Sequence, residues 1–312
     1  MIETLALLVI SLLVLYYASN WLITHAINLA RFFKIGEMEV GFLLVAVATS
    51  LPELVISVLA TLQGNTGLAV GNILGANIAD LCLVLGIAAL FGGIVVKRKE
   101  MKDLTAILLA ASVLPLVIML NWFNGFEAVA LLSIFAAFAY FMLKKRVSIG
   151  DGETVSARQA VTSAFLFTIG LVLILISSNY AVDLAVVLAG KIGASNAFVG
   201  ATIVALGTTL PELAVSVAAV KRKHSALAVG SILGSCITNL TLVMGVAAVI
   251  NPLTANVTAF TNLVAFMCIS SVLVWYFIQR DHKLERPQGI VLLILYAIFL
   301  ISAFRAEKLI LP

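Results

Sequence analysis

GFLLVAVATSLPELVISVLATLQGNTGLAVGNILGANIADLCLVLGIAAL, residues 41–90, returns as GATIVALGTTLPELAVSVAAVKRKHSALAVGSILGSCITNLTLVMGVAAV, residues 200–249, with half of the fifty aligned positions identical and no gap. Self-similarity at a fixed offset fixes the architecture before any local reading does. The offset is 159 residues, and it also lays Ser19-Asn20 on Ser178-Asn179. The duplication therefore reaches back into the first apolar stretch of each half.

Both copies sit in a chain solvated mainly by lipid. Of 312 residues, 62% are hydrophobic and 11% charged, against roughly a quarter charged in an ordinary soluble domain. A bilayer-spanning helix needs about 20 mainly apolar residues. Ten such stretches are expected, near 4–29, 39–61, 67–94, 104–121, 126–143, 160–188, 198–220, 226–250, 256–279 and 288–304. The first lacks a basic leader and a small-residue cleavage site, so it reads as a retained helix and not a signal peptide. Residues 1–143 form the first five-helix repeat, 144–159 a short charged connector and 160–312 the second repeat.

The net charge of +4 reports sidedness and not a nucleic-acid partner. Sixteen of the 19 Lys and Arg residues fall in alternate loops, and only Lys191, Arg305 and Lys308 lie on the other side. The positive-inside rule makes the basic loops cytoplasmic and both termini extracellular, as expected for a multi-pass cell-membrane protein. Five spans per copy, an odd number, turn the second copy upside down in the membrane. The expected fold is thus all-α and polytopic, ten transmembrane helices in two inverted repeats, with a binding site between them near the midplane. Cys82, Cys236 and Cys268 lie in apolar stretches and read as small core residues, not as a disulfide framework.

Within the apolar stretches the acids near mid-membrane are Glu53, Asp80 and Glu212, with Asp183 nearer a helix end. Each carboxylate at the bilayer centre costs about 2.5–3.5 kcal/mol, and no Lys or Arg lies in these stretches to offset it. Cations from solution, protons or hydrogen bonds must do so. Thr49, Glu53 and Ser57 share one helix face, as do Thr208, Glu212 and Ser216. Asn72, Ala76 and Asp80 form a similar line, and so do Ser231, Ser235 and Asn239. Small residues run beside them: Gly71, Gly75 and Ala79, then Gly230, Gly234 and Thr238, a pattern that lets helix backbones approach closely. Pro52 and Pro211 precede the glutamates and take helical partners from the carbonyls near Ala48 and Gly207. Oxygens of these kinds suit calcium, which takes about 6–8 of them. Zinc would call for Cys or His, and His25, His224 and His282 are expected in or near loops.

ATSLPEL and GTTLPEL, followed by GNILGANIAD and GSILGSCITN, resemble the paired motifs of the cation/calcium antiporter superfamily, and specifically its sodium/calcium exchangers of the prokaryotic type. The resemblance implies ion ligands from the Thr and Glu of each first motif and the Ser and Asn or Asp of each second. In this chain those are Thr49, Glu53, Asp80, Thr208, Glu212, Ser235 and Asn239, with main-chain carbonyls at Ala46 and Ala205. It implies calcium and sodium as transported ions, no cofactor, no enzymatic activity, no nucleic acid and no obligatory protein partner. It further implies that the first and sixth helices slide against the other eight. Two departures stand out. Ala76 occupies a position where the family often has Ser. Asp80 and Asn239 exchange the amide and acid that archaeal-type exchangers carry in the first and second repeat.

Proton-coupled exchange is the nearest alternative, although neither repeat carries a GNAxE-type motif. Potassium participation and lithium acceptance stay open. A cation channel would pass calcium without a counter-cation. An intramembrane aspartyl protease would need a GxGD motif, which the chain lacks.

Overall fold

The computed structural model describes residues 2–64, 66–95, 108, 109, 112, 126–144, 155–191, 205–253, 257–281 and 283–310. Within them the chain is helical throughout, apart from one two-residue strand pair. The first span is α1 (Ile2–Phe33). The second is α2 (Glu37–Val40), a π-helical segment (Gly41–Ala46), α3 (Val47–Thr49) and α4 (Leu51–Leu62). The third is α5 (Thr66–Ala79), a π-helical segment (Asp80–Val84) and α6 (Leu85–Gly92). Then come α7 (Phe126–Lys144) and α8 (Ala157–Lys191). The repeated segment follows as α9 (Ala205–Thr208), α10 (Leu210–Lys221), α11 (Ser225–Thr238), a π-helical segment (Asn239–Val243) and α12 (Met244–Ile250). The last two are α13 (Val257–Asp281) and α14 (Arg286–Ile310). Strand β1 (Ile94–Val95) pairs antiparallel with β2 (Lys283–Leu284) and ties the end of α6 to the start of α14.

Among the described residues seven helices are long and apolar enough to cross a membrane, and the bent pair Glu37–Thr49 with Leu51–Leu62 makes an eighth. The stretch expected at 104–121 lies outside the described residues except for Leu108, Leu109 and Ser112, and the one at 198–220 is described from Ala205 onward. Helices α1 and α8 pack along each other. With 32 and 35 residues they measure about 50 Å at 1.5 Å per residue. That exceeds a hydrocarbon core of about 30 Å, so both must tilt strongly.

Burial separates lipid-facing helices from a central layer. Most of α5 with α6 and of α11 with α12 is buried, whereas α1, α7 and α14 turn large apolar side chains such as Leu13, Phe141 and Ile298 outward. The centre closes because α11 lies directly on α2 and the π-helical segment after it. A Cβ added to Gly230 would run into the Met38 carbonyl, and one added to Gly41 into the Leu227 carbonyl and, at 2.9 Å, the Ser231 amide. Main chain meets main chain here, and no rotamer change makes room. Gly230→Ala is therefore expected to cost about 1–3 kcal/mol as overpacking, read as a lower thermal unfolding midpoint in detergent. A parental midpoint would mean that this contact is looser than described.

Two contacts join residues separated by the repeat offset. Asn77 Nδ2 donates to the Cys236 carbonyl at 3.2 Å, with the Cys236 thiol 4.0 Å from the Asn77 carbonyl. Ser112 Oγ donates to Ser271 Oγ at 2.7 Å. Both pairs are 159 residues apart.

Candidate functional site

The LPE segments break their helices at a defined point. Ser50 (φ −79°, ψ 5°) and Thr209 (φ −91°, ψ 0°) leave the α-helical region, and a new helix starts directly after each with proline in its first turn. Proline is tolerated there because its missing N–H would have had no helical partner. The sequence placed Pro52 and Pro211 inside the second and seventh helices with irregular backbone before them; there they restart the helix, with a bend of 44° in the second span. Glu53 and Glu212 thereby occupy the first turn of α4 and α10, where unpaired N–H groups and the positive helix end favour negative charge.

Asp80 and Asn239 open the two π-helical segments of the third and eighth stretches. Such bulges widen the helix by one residue and occur frequently at functional sites. Glu53, Asp80, Glu212 and Asn239 are all buried.

Hydrogen bonds then draw the two halves together. Ser50 Oγ lies 3.1 Å from Ser235 Oγ, and Ser235 Oγ donates to Glu212 Oε1 at 3.5 Å. Asn239 Nδ2 donates to Asn77 Oδ1 at 3.0 Å. Asn72 Nδ2 bridges to the Glu53 carbonyl at 3.2 Å and to Ser57 Oγ at 3.0 Å. Threonine and glutamate cross over: Thr208 faces the Glu53 carboxylate and Thr49 that of Glu212. Thr49 Oγ1 also donates to the Ala46 carbonyl at 3.4 Å, an oxygen that accepts the Ser50 N–H as well.

What the network leaves over is a set of buried oxygens. Both carboxylate oxygens of Glu53, Asp80 Oδ1, Glu212 Oε2, Asn239 Oδ1 and Ser216 Oγ have no well-formed hydrogen bond among the described residues. Orphaned buried acceptors of this kind each carry a desolvation cost of about 1–3 kcal/mol, more when charged. A cation is the partner that would satisfy several at once. No three acidic, histidine or cysteine side chains among the described residues close round one point at metal-ligand distances. A cation bound here must also draw on hydroxyl, amide and main-chain oxygens, the mixture that calcium accepts.

The structure gathers Thr49, Glu53, Asp80, Thr208, Glu212, Ser235 and Asn239 on the central helices. Ala46 and Ala205 stand at the entry to the helix breaks, at the end of one π-helical segment and the start of α9. Asp183 is exposed on α8. Sequence reasoning missed Ser50 and Asn77, both buried in the network, and Glu39, a further buried acid at the start of the second span. Asn77 had a signal, an amide amid apolar residues, but it stands one position off the Asn72, Ala76, Asp80 line. His25 lies within α1, about two turns before its end. His224 does sit at a turn, before α11, with Nδ1 3.0 Å from Glu37 Oε1. The three cysteines are free, two of them buried.

Thr49→Ala and Thr208→Ala each remove one neutral oxygen while the carboxylate that it faces remains. Exchange is expected to survive with weaker apparent ion affinity, by about a factor of ten or less for one neutral hydrogen-bonding group. A concentration series of calcium uptake measures this, and complete loss in either variant would assign that hydroxyl a larger part.

The model of the family described as sodium/calcium exchanger protein matches this chain twice, at residues 3–144 and 162–305. The chain belongs to the sodium/calcium exchanger family. An uncharacterized membrane protein of Methanocaldococcus jannaschii is 32% identical over 294 residues, covering 94% of this chain and 95% of its own length. The sodium/calcium exchanger MaX1 of Methanosarcina acetivorans is 26% identical over 342 residues, covering 96% and 97%. Among solved structures, the sodium-calcium exchanger NCX_Mj soaked with 10 mM sodium and no calcium superposes with a TM-score of 0.85 at 30% identity, over 96% of this chain and 99% of that one. This exchanger family consists of membrane antiporters for sodium and calcium, not enzymes.

Proposed function

We propose that this chain exchanges calcium for sodium across the cell membrane by alternating access to one central site, within ten membrane-spanning helices arranged as two inverted repeats with both termini outside. The observation that carries the reading is the group of unpartnered buried oxygens on Glu53, Asp80, Glu212 and Asn239, in helices without a lysine or arginine in their interior. Vacant, such a site holds uncompensated charge in a low-dielectric setting. Occupied by one calcium or by several sodium ions in overlapping positions, it is neutralised. Two cargoes that compete for one set of ligands, each needed to discharge it before the protein changes orientation, give exchange and not leak.

The inverted arrangement is supported by the contacts Asn77–Cys236 and Ser112–Ser271, since a residue can meet its own repeat mate only near a twofold axis. Ser50–Ser235 and the crossed threonine–glutamate neighbours support a site made jointly by both halves. Alternation is supported by an asymmetry between mates. Helix α1 packs along α10, yet among the described residues the equivalent pair, α8 and α4, makes no comparable contact. At the end of α10, Arg222 Nη1 donates to the Asn20 carbonyl at 2.5 Å and to Thr24 Oγ1 at 2.8 Å, and Lys221 Nζ lies 4.3 Å from the Phe91 ring centroid. Among the described residues their mates, Gln63 and Leu62, make no equivalent side-chain contact to α8. These contacts hold α1 against α10 on the face with the basic loops. A transporter that alternates would adopt the mirror of this state in turn.

The test is calcium uptake into proteoliposomes loaded in turn with sodium, potassium, lithium or a proton gradient. Uptake should require internal sodium and collapse when the sodium gradient is removed. Uptake driven by protons alone, or calcium flux with no counter-cation at all, would overturn the reading in favour of proton coupling or of a channel.

A further inference from the structure

A polar cavity lies away from the central helices, on the face that carries the basic loops. It encloses about 390 Å³ between the end of α1 and the start of α8, with His25, Asn28 and Arg31 on one side and Arg158, Gln159 and Thr162 on the other. The buried Ser163 hydroxyl forms its floor, 3.3 Å from Asn28 Nδ2 and 3.4 Å from His25 Nδ1. No acidic side chain among the described residues pairs with Arg31 or Arg158. The α8 terminus does not use them either, because it caps itself: Ser156 N–H donates to Gln159 Oε1 at 2.9 Å, and Gln159 N–H donates to Ser156 Oγ at 3.3 Å. That reciprocal cap satisfies the helix start and leaves the Gln159 amide N–H₂ as a spare donor. Two guanidiniums without an acidic partner among the described residues, with amide, hydroxyl and imidazole groups between them, make a donor-rich recess.

Packing of α1 on α8 does not call for these residues. At the repeat offset, His25, Asn28 and Arg31 correspond to Leu184, Val187 and Gly190, and Thr162 corresponds to Glu3. The other end of the same helix pair therefore lacks the cluster and carries an acid. Phe33, Val161 and Phe165, within three positions of the lining residues Arg31, Arg158 and Thr162 along the chain, are among the most exposed large apolar side chains of the described residues.

We propose that this cavity binds the phosphate of an anionic phospholipid, the headgroup held between Arg31 and Arg158 and the acyl chains lying on Phe33, Val161 and Phe165. Arginine suits a phosphate because its planar fork donates two parallel hydrogen bonds. The ligand clamps the basic-face ends of α1 and α8 to each other, a role that does not depend on which ions the central site carries.

The full chain in detergent is titrated with short-chain phosphatidylglycerol, short-chain phosphatidylcholine and inorganic phosphate, with bound adducts counted by native mass spectrometry. Phosphatidylglycerol should bind best. Arg31→Gln/Arg158→Gln should weaken it by about thirtyfold, roughly fivefold for each arginine near an anionic headgroup, and leave phosphatidylcholine unchanged. Arg31→Lys/Arg158→Lys, which keeps the charge, should retain part of the preference. Arg280→Gln/Arg286→Gln, elsewhere on the same face, should behave as the parent. Unchanged phosphatidylglycerol binding in the first variant, or an equal loss in the last, would sink the proposal. Inorganic phosphate binding as well as the lipid would assign the cavity to a free anion instead.

Discussion

Glu53→Gln and Glu212→Gln are each expected to bring sodium-driven calcium uptake down to the level of protein-free vesicles, with helix content and unfolding midpoint close to those of the parent. Both glutamates stand in the first turn of a restarted helix, buried, and both leave carboxylate oxygens without a well-formed partner. An uncharged amide of the same size keeps the packing and removes the charge that draws a cation out of water. Losing one partner of a buried charge pair costs about 2–5 kcal/mol, enough to empty the site at working ion concentrations. The same change relieves a buried charge in the vacant protein, so stability should hold or rise. Exchange near the parental rate in either variant would make that carboxylate a packing group. Loss of both transport and folding would be equally damaging to the assignment, because an amide of the same size can still accept the one weak bond that Ser235 gives Glu212.

The second large effect concerns Asp80 and Asn239, which the repeat offset pairs and which open matching π-helical segments. Asp80→Asn deletes one of three carboxylates and is expected to reduce exchange to a small fraction of the parental rate. Adding Asn239→Asp returns the charge on the other side of the axis and should restore part of it. Restoration is partial for a reason visible in the hydrogen bonds. Asn239 presents its Nδ2 to Asn77 Oδ1 and keeps Oδ1 unpartnered. A carboxylate there would face the Asn77 oxygen until that amide turned over, and turning it sacrifices the bond from Asn77 to the Cys236 carbonyl. The measurement is uptake for both single variants and the double. Non-additivity marks a shared site, and a double variant no better than Asp80→Asn would separate the two residues.

Repeat, polar seams and helix ends were legible because each leaves a periodic trace. The apolar stretches expected at 67–94, 126–143 and 226–250 correspond to helices running 66–92, 126–144 and 225–250. Glu53 and Glu212 announced themselves as acids without basic neighbours. Three kinds of feature escaped that reading. Ser50 meets Ser235 at the break before Leu51, and a one-residue change of direction does not alter composition. Asn77 matters through a contact with the other half, and its mate is Cys236, so the comparison of repeats that exposed the other residues hid this one. The π-helical segments depend on an extra residue per turn that the pattern of apolar positions does not resolve. The end expected at residue 29 falls short of Phe33, to which the first helix runs on, because polar residues near the end of a span read as a loop.

The meeting of Gly41 with the α11 backbone near Gly230 also bears on how the molecule is made. These residues are 189 positions apart in the chain. At a synthesis rate of about 5–20 residues per second, the second span waits roughly 10–40 s in the bilayer before the surface that covers it has been translated. Throughout that interval Glu53 must find shelter without its neighbours from the other half, and the smooth strip at Gly41 lies open to any passing helix. Biogenesis of this protein is therefore a problem of delayed assembly, in which whatever guards early spans in the membrane has as much to do with yield as the stability of the finished bundle.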